Sequence, residues 1–283
     1  MRRLRLYLDL IRFEHTLFAL PFAYGGMLLA AGGWPGWATF FLVTLAMVGA
    51  RTMAMALNRL IDWRIDALNP RTQNRHLPQG LVKPWETLFL ALVGLLLLTL
   101  AGLSLNPLTA RLLPVAVFFL TVYSYTKRFT WLCHYVLGLT IGAAAAGGWI
   151  AVTGSFHPTA YWLWAAVGLW IAGFDILYAT QDYAFDRAYG IQSIPARFGI
   201  PAALRIARAT HFLAWLAFLL AGLSYGAGSF YFLGLLLVGG LLLYEHQLVR
   251  PEDLSRVDLA FFQANVGVSL GMFLFIVLDL LWG

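Results

Sequence analysis

Residues 38–80 read ATFFLVTLAMVGARTMAMALNRLIDWRIDALNPRTQNRHLPQG, an apolar run that continues directly into a series of charged and amide side chains. The apolar part has the length of about 20 residues that a helix needs to cross a bilayer. Asn58, Asp62 and Asp66 then follow at intervals of four, so a continuing helix would place them on one face. The stretch therefore predicts a membrane helix that ends in an acidic site.

The composition of the whole chain supports a membrane location. Of 283 residues, 61% are hydrophobic and only 11% are charged, against roughly 25% charged residues in a typical soluble domain. The single cysteine, Cys133, excludes an internal disulfide framework and a cysteine-based metal cluster. The net charge of +6 does not indicate nucleic acid as a partner, because the basic residues lie in short loops between apolar runs.

We predict an all-α integral membrane protein with one polytopic domain over residues 1–283 and nine transmembrane helices. The basic N-terminal stretch has no small-residue cleavage site before the first span and is interpreted as a retained helix. The fourth span is short and is compatible with a tilted or partly re-entrant helix. The spans are placed, at about 20 residues each, at 14–33, 38–58, 86–105, 112–127, 132–153, 160–180, 205–225, 229–249 and 259–281.

Positive charge predicts the orientation of these spans. If the N-terminus is cytoplasmic, all of the 19 Lys and Arg residues except Arg51, within a span, and Arg111 fall on the cytoplasmic side. We therefore predict a multi-pass protein of the cell (inner or plasma) membrane whose site faces the cytoplasm. Spans two, four and six then run in the same direction and end on the same side.

Two further motifs follow spans four and six. Residues 173–199, GFDILYATQDYAFDRAYGIQSIPARFG, contain Asp182 and Asp186 four residues apart. Asp175 precedes Asp182 by two helical turns, and a packing role and a role as a third ligand both remain open for it. Residues 122–132, VYSYTKRFTWL, place Tyr123 and Lys127 four apart. One site can therefore collect all three elements, in the first loop region (58–85), the second (181–204) and the end of span four.

Several acids at the ends of membrane helices indicate a cation-binding site. Acids within or beside membranes are energetically costly and default to functional roles, although solvated helix caps are the plain alternative. Hard oxygen ligands suit Mg²⁺, which binds through one or two carboxylates plus substrate phosphates. The predicted magnesium ligands are Asn58, Asp62, Asp66, Asp182 and Asp186. Arg75 and Lys127 could complete a diphosphate cage from the basic side.

At these residues the chain resembles the UbiA superfamily of membrane prenyltransferases. Three motifs carry the resemblance: Asn58-x-x-x-Asp62-x-x-x-Asp66, Asp182-x-x-x-Asp186 and Tyr123-x-x-x-Lys127. It extends over nearly the whole chain. It implies nine helices around a central cavity that opens sideways to lipid. It also implies two Mg²⁺ ions and ionisation of an allylic diphosphate, whose carbocation attacks an aromatic carbon. Arg59 stands where many members of the superfamily have a further Asp.

The resemblance also implies the roles of the site residues and the class of substrates. Polyprenyl diphosphate would be bound by Asn58, Tyr123, Lys127 and Arg75, and the catalytic set would be Asp62, Asp66, Asp182, Asp186 and Lys127. An interfacial-belt position is an equal alternative for Tyr123. The acceptor would be a hydroxylated aromatic acid, with Arg12 as the candidate partner of its carboxylate.

Several functions remain open from the sequence, and the haem-farnesylating or lipid-ether branch of the same superfamily is one of them. The likeness is to the 4-hydroxybenzoate polyprenyltransferase group of ubiquinone and menaquinone biosynthesis. It extends to relatives that act on 1,4-dihydroxy-6-naphthoate in the futalosine route to menaquinone. A secondary transporter is the alternative of another class, because a weak internal duplication and intramembrane acids also occur there.

Overall fold

The computed structural model describes residues 2–12 and 16–283, apart from the side chains of Arg2, Leu4 and Leu17. Within these residues the chain is a bundle of helices, and the only β-type pairing is an isolated bridge between Arg250 and Asp253. The all-α prediction is confirmed. The helices are α1 (Arg2–Leu10), α2 (Thr16–Ala31), α3 (Trp37–Leu68), α4 (Pro84–Leu105), α5 (Pro107–Thr126), α6 (Cys133–Thr153), α7 (Pro158–Ala179), α8 (Tyr183–Tyr189), α9 (Ile194–Phe198), α10 (Ile200–Tyr225), α11 (Ser229–Leu248), α12 (Val257–Leu259) and α13 (Asn265–Trp282).

Among the described residues, eight helical segments are long and apolar enough to cross a membrane. They correspond to the second to ninth predicted spans, with α7 and α8 joined by a 3₁₀ turn at Thr180–Asp182 and α12 joined to α13 by a π-helical turn. The remaining predicted span corresponds to α2, a shorter apolar helix. Its predicted first residues, 14 and 15, lie outside the described residues, so the count of nine stays a prediction.

Two helix boundaries differ from the predicted spans for local reasons. Helix α5 starts at Pro107 rather than near 112, because the Asn106 side chain accepts hydrogen bonds from the backbone N–H groups of Leu108 and Thr109 and caps the helix. Helix α3 continues to Leu68, well past the end of its apolar run at 58. Its last three turns therefore carry the acidic motif out of the apolar layer as one continuous helix.

Small residues, among them the run GAAAAGGW at 142–149 of α6, let α2 and α6 pack backbone to backbone. A Cβ atom added to Gly148 would lie 2.0 Å from the carbonyl oxygen of Ala23, and one added to Gly26 would lie 2.1 Å from that of Ala145. Only glycine fits at either position. This contact fixes α6 against the N-terminal span.

We expect Gly148→Val to destabilise the folded protein by about 1–3 kcal/mol or more, because the added side chain must push two helix backbones apart. Gly147 is the matched control, since it is exposed and a Cβ there would meet no atom within 4 Å. Thermal unfolding of both valine variants in detergent measures the difference. Equal melting temperatures would contradict this packing.

Candidate active site

The ends of α3, α5 and α7 meet at one cavity of about 240 Å³. The cavity lies at one end of the bundle rather than midway along it, because α3, α5 and α7 contribute residues from their last turns. Every predicted metal or diphosphate residue lines it, so the expected convergence is present. The predicted residues in the lining are Asn58, Asp62, Asp66, Arg75, Tyr123, Lys127, Asp182 and Asp186.

Asp62 is the most enclosed acid of the site, with 1% of its side chain exposed. One oxygen, Oδ2, accepts hydrogen bonds from Lys127 Nζ at 2.6 Å and from Asn58 Nδ2 at 3.0 Å. The other, Oδ1, accepts from Arg128 Nη2 at 3.0 Å. Two cations from the end of α5 thus balance one buried carboxylate, which ties α5 to α3.

Asp66, one turn further on, is held by the loop that follows its own helix. Both of its carboxylate oxygens accept from Arg75 Nη1 at 2.8 Å. The Thr72 hydroxyl also donates to the Asp66 carbonyl oxygen at 3.0 Å. The loop therefore folds back over the helix end and places the Arg75 guanidinium at the cavity.

Asp182 joins the second motif to the first loop. Arg71 binds it with two guanidinium nitrogens, the Nε–Oδ1 contact being 2.8 Å, and Asn69 Nδ2 donates to Oδ1 at 2.8 Å. Burial alone would lower the pKa of Arg71, but the hydrogen bonds and charge of Asp182 raise it above its ordinary value. The guanidinium also packs over the Tyr178 ring, 4.9 Å from its centroid. The two acidic helix ends are thus bridged across the cavity.

Asp186 is the acid of the second pair and has a different environment. The Ser193 hydroxyl donates to its Oδ2 at 2.7 Å, and Ser193 also caps α9 by accepting from Ala196 N–H. The neighbouring Gln192 N–H donates to the Lys127 carbonyl oxygen at 2.7 Å. The loop at 190–193 is therefore tied both to the second acidic pair and to the end of α5.

Two residues singled out from the sequence lie away from the cavity lining. The Arg12 side chain is exposed, and its carbonyl oxygen accepts from Arg51 Nη2 at 2.9 Å. Arg59 is buried and donates to the Leu10 carbonyl oxygen at 3.2 Å and to Asn58 Oδ1 at 3.4 Å. The arginine that departs from the family pattern therefore anchors α1 to α3 instead of facing the acids.

Several site residues were not predicted. The sequence assigns Arg71 and Arg128 only to the positive charge that orients the spans, yet each contacts an acid of the motifs. A spacing of four between Arg71 and Arg75 within one loop is the signal that could have drawn attention to the first of them. Asn69, Ser193 and His134 also line the cavity, and nothing in their local sequence distinguishes them.

The donor set suits magnesium only together with a phosphate-bearing ligand. In the described part of the chain, no three His, Cys, Asp or Glu side chains are close enough to hold a metal by themselves. The carboxylates are instead interleaved with Arg71, Arg75 and Lys127. Mg²⁺ takes one or two carboxylates and fills its other positions with water and phosphate oxygens. If the carboxylates bind the metal and the cations that now pair with them bind the phosphate oxygens, the metal and the phosphates both gain suitable partners.

Comparison with known proteins agrees with this geometry. The model of the UbiA prenyltransferase family matches residues 19–275. The chain belongs to the UbiA prenyltransferase family. Two relatives are 4-hydroxybenzoate octaprenyltransferases. One, from Vibrio atlanticus (strain LGP32), is 32% identical with 92% of each chain covered. The other, from Shewanella piezotolerans, is 31% identical with 98% of this chain and 96% of the relative covered.

Solved structures show the same fold. A UbiA homologue from Aeropyrum pernix K1, solved in its apo form, superposes with a TM-score of 0.86 at 33% identity, over 94% of this chain and 98% of the homologue. A UbiA homologue from Archaeoglobus fulgidus, solved with DMAPP and Mg²⁺, superposes with a TM-score of 0.66 at 19% identity, over 94% and 98% of the two chains. The second likeness concerns the fold alone.

The protein is therefore an integral membrane prenyltransferase. This family assignment replaces the secondary-transporter alternative. The position of the cavity agrees, because transporters of the kind considered place their sites near the bilayer midplane, whereas this cavity gathers the last turns of three helices.

Proposed function

We propose that this protein transfers a polyprenyl group from its diphosphate to a hydroxylated aromatic acid of the 4-hydroxybenzoate type, with Mg²⁺. The observation that carries the proposal is the convergence of two acidic pairs and three cations on one cavity. The names of the relatives support the acceptor class. The homologue that binds DMAPP and Mg²⁺ supports the diphosphate and the metal. A place in ubiquinone or menaquinone biosynthesis follows from such a product.

The site residues divide the work by charge. Asn58, Asp62, Asp66, Asp182 and Asp186 would hold the metal. When bound there, Mg²⁺ would neutralise the charge of the diphosphate as a leaving group. Three cations line the same cavity, Lys127, Arg75 and Arg71. They would supply charge-assisted hydrogen bonds to the phosphate oxygens. These donors act where negative charge accumulates as the carbon–oxygen bond breaks.

The apolar part of the cavity serves the other half of the substrate. Ile65, Leu137 and Phe185 line it beside the acids. Such a lining keeps water away from an allylic cation and accommodates the first carbons of a prenyl chain. A polyprenyl tail is itself lipid-soluble, so a site at the end of membrane helices is accessible to it.

The orientation belongs to the same proposal. The acidic helix ends lie beside Arg and Lys residues of the loops, and basic loops remain in the cytoplasm. We place the cavity on the cytoplasmic face of the cell membrane, with the N-terminus on that side. Arg64 and Arg111 are exposed, so each can be replaced by a single cysteine and labelled with a membrane-impermeant reagent in sealed vesicles. We expect the two positions to be labelled from opposite sides of the membrane.

Arg12 remains the candidate for the acceptor's carboxylate. Arg12→Ala is expected to raise the acceptor KM more than the prenyl diphosphate KM, because a lost charged hydrogen bond costs about 1.5–3 kcal/mol. Steady-state kinetics with each substrate varied in turn measures both constants. Equal effects on the two constants would remove this role.

The proposed function is tested with an acceptor panel. Purified protein, Mg²⁺ and a long-chain prenyl diphosphate are incubated with 4-hydroxybenzoate, 1,4-dihydroxy-6-naphthoate or homogentisate. We expect a prenylated aromatic acid and one diphosphate released per product, both abolished by EDTA. Transfer to none of these acceptors, in the presence of Mg²⁺, would reject the proposed acceptor class.

A further inference from the structure

One acid of the cavity has no part in the diphosphate site described above. Asp175 lies on α7, seven residues before Asp182 and so about 10 Å deeper along the helix axis. Its side chain lines the cavity and is 27% exposed. Within residues 2–12 and 16–283 its one hydrogen-bonding partner is His134, and no Arg or Lys forms an ion pair with it.

Two hydrogen bonds fix the orientation of the His134 ring. Its side chain is 4% exposed, and the Ile194 N–H donates to its Nε2 at 3.2 Å. A ring nitrogen that accepts an N–H carries no hydrogen, so the hydrogen of the neutral ring is on Nδ1. Nδ1 then donates to Asp175 Oδ2 at 2.7 Å. The imidazole thus holds one carboxylate oxygen of Asp175 in a fixed position.

This arrangement leaves a carboxylate oxygen for a ligand. Oδ1 of Asp175 accepts no hydrogen bond from the described part of the chain, while Oδ2 fixes the orientation of the group. The surrounding lining includes Leu137 and the Tyr178 ring, which suit contact with an aromatic ring. A fixed, charged acceptor beside apolar and aromatic surface suits a donor carried on an aromatic ring.

We propose that Asp175 binds the hydroxyl group of the aromatic acceptor and that His134 is the positioning residue that holds it. This rests on the proposed function and assigns a subsite within the same cavity. When a phenolic hydroxyl donates a hydrogen bond to a carboxylate, the electron density of its aromatic ring increases. This favours attack by the ring on an allylic cation. His134 also joins this subsite to Ile194, next to the Ser193 that binds Asp186.

A third magnesium ligand is the competing role for Asp175, and kinetics separate the two. Asp175→Asn keeps the shape and removes the charge. We expect the KM for 4-hydroxybenzoate to rise about 10- to 100-fold, the loss of a charged hydrogen bond, with the KM for prenyl diphosphate and the Mg²⁺ half-saturation unchanged. A shift of the Mg²⁺ half-saturation, or an unchanged acceptor KM, overturns the proposal.

A second measurement reports the hydroxyl directly. Benzoate lacks it, so wild-type protein is expected to bind 4-hydroxybenzoate more tightly than benzoate in competition, and Asp175→Asn is expected to lose this preference. A preference that the substitution leaves intact contradicts the subsite. If wild-type protein prenylates no aromatic acid, the proposed function itself fails; normal kinetics of Asp175→Asn beside an active wild type reject only the subsite.

The positioning role of His134 is tested by a pair of variants. Glutamine can accept from Ile194 N–H with its oxygen and donate to Asp175 with its amide, so His134→Gln is expected to keep near-wild-type acceptor KM and preference. His134→Leu keeps bulk but neither bond and is expected to reproduce the Asp175→Asn defect. An acceptor KM in His134→Gln as poor as in Asp175→Asn overturns the role, whether or not the leucine variant folds.

Discussion

Prenyl transfer by Asp62→Ala is expected to fall by about 10³-fold or more, the scale on which removal of an electrostatic catalytic group acts. Asp62 is buried at the end of α3 and receives hydrogen bonds from Asn58, Lys127 and Arg128. Its loss removes a proposed metal ligand. It also leaves Lys127 and Arg128 without their anionic partner. Release of diphosphate from prenyl diphosphate and aromatic acid measures the effect.

The same variant must be shown to fold. Lys127 and Arg128 are each about 30% exposed, so water can solvate them when the acid is gone, and membrane insertion and detergent elution should stay normal. Glu252→Ala serves as the control because Glu252 lies in an exposed loop between α11 and α12. It is expected to keep full activity. Turnover above a few per cent of wild type in a well-folded Asp62→Ala protein would reject the metal assignment.

Asp182→Ala is expected to cause a loss of similar size from the other side of the cavity. Asp182 binds Arg71 and Asn69 and so joins α7 to the loop after α3. The substitution removes an acid from the second pair and frees the Arg71 side chain from the geometry that the acid imposes. We expect activity to stay low at saturating Mg²⁺, because the second pair acts as a unit with the first.

Asp258→Ala is the matched control for this second site. Asp258 accepts from Gln181, the residue before Asp182, at 3.0 Å, but it does not line the cavity. A near-wild-type rate in Asp258→Ala together with a lost rate in Asp182→Ala would separate position in the cavity from mere proximity. A near-wild-type rate in Asp182→Ala as well as in Asp258→Ala would show that the second motif is not part of the active site.

The spans and motifs could be predicted because each depends on local regularity. Long apolar runs locate membrane helices, and a spacing of four places Asn58, Asp62 and Asp66 on one helix face. The direction of successive spans then places the ends of α3, α5 and α7 together. For these features, a periodic pattern in the sequence carries the three-dimensional information.

The partners of the acids could not be predicted in this way. Arg71 reaches Asp182 across 111 positions, and His134 reaches Asp175 across 41, through loops whose conformation follows no periodic pattern. The predicted span ends at 58, where the apolar run stops, whereas α3 itself continues to Leu68, as the spacing of its acidic motif predicts. Helical hydrogen bonding does not stop where hydrophobicity does.

Binding of a non-reactive prenyl thiodiphosphate to purified protein tests the shared diphosphate site most directly. We expect Mg²⁺-dependent binding with one ligand per chain in the wild type. We also expect Asp62→Ala and Asp182→Ala each to abolish this binding, although the two acids lie on different helices. Wild-type affinity in either variant, or binding that persists undiminished in EDTA, would contradict a diphosphate held between the two acidic helix ends.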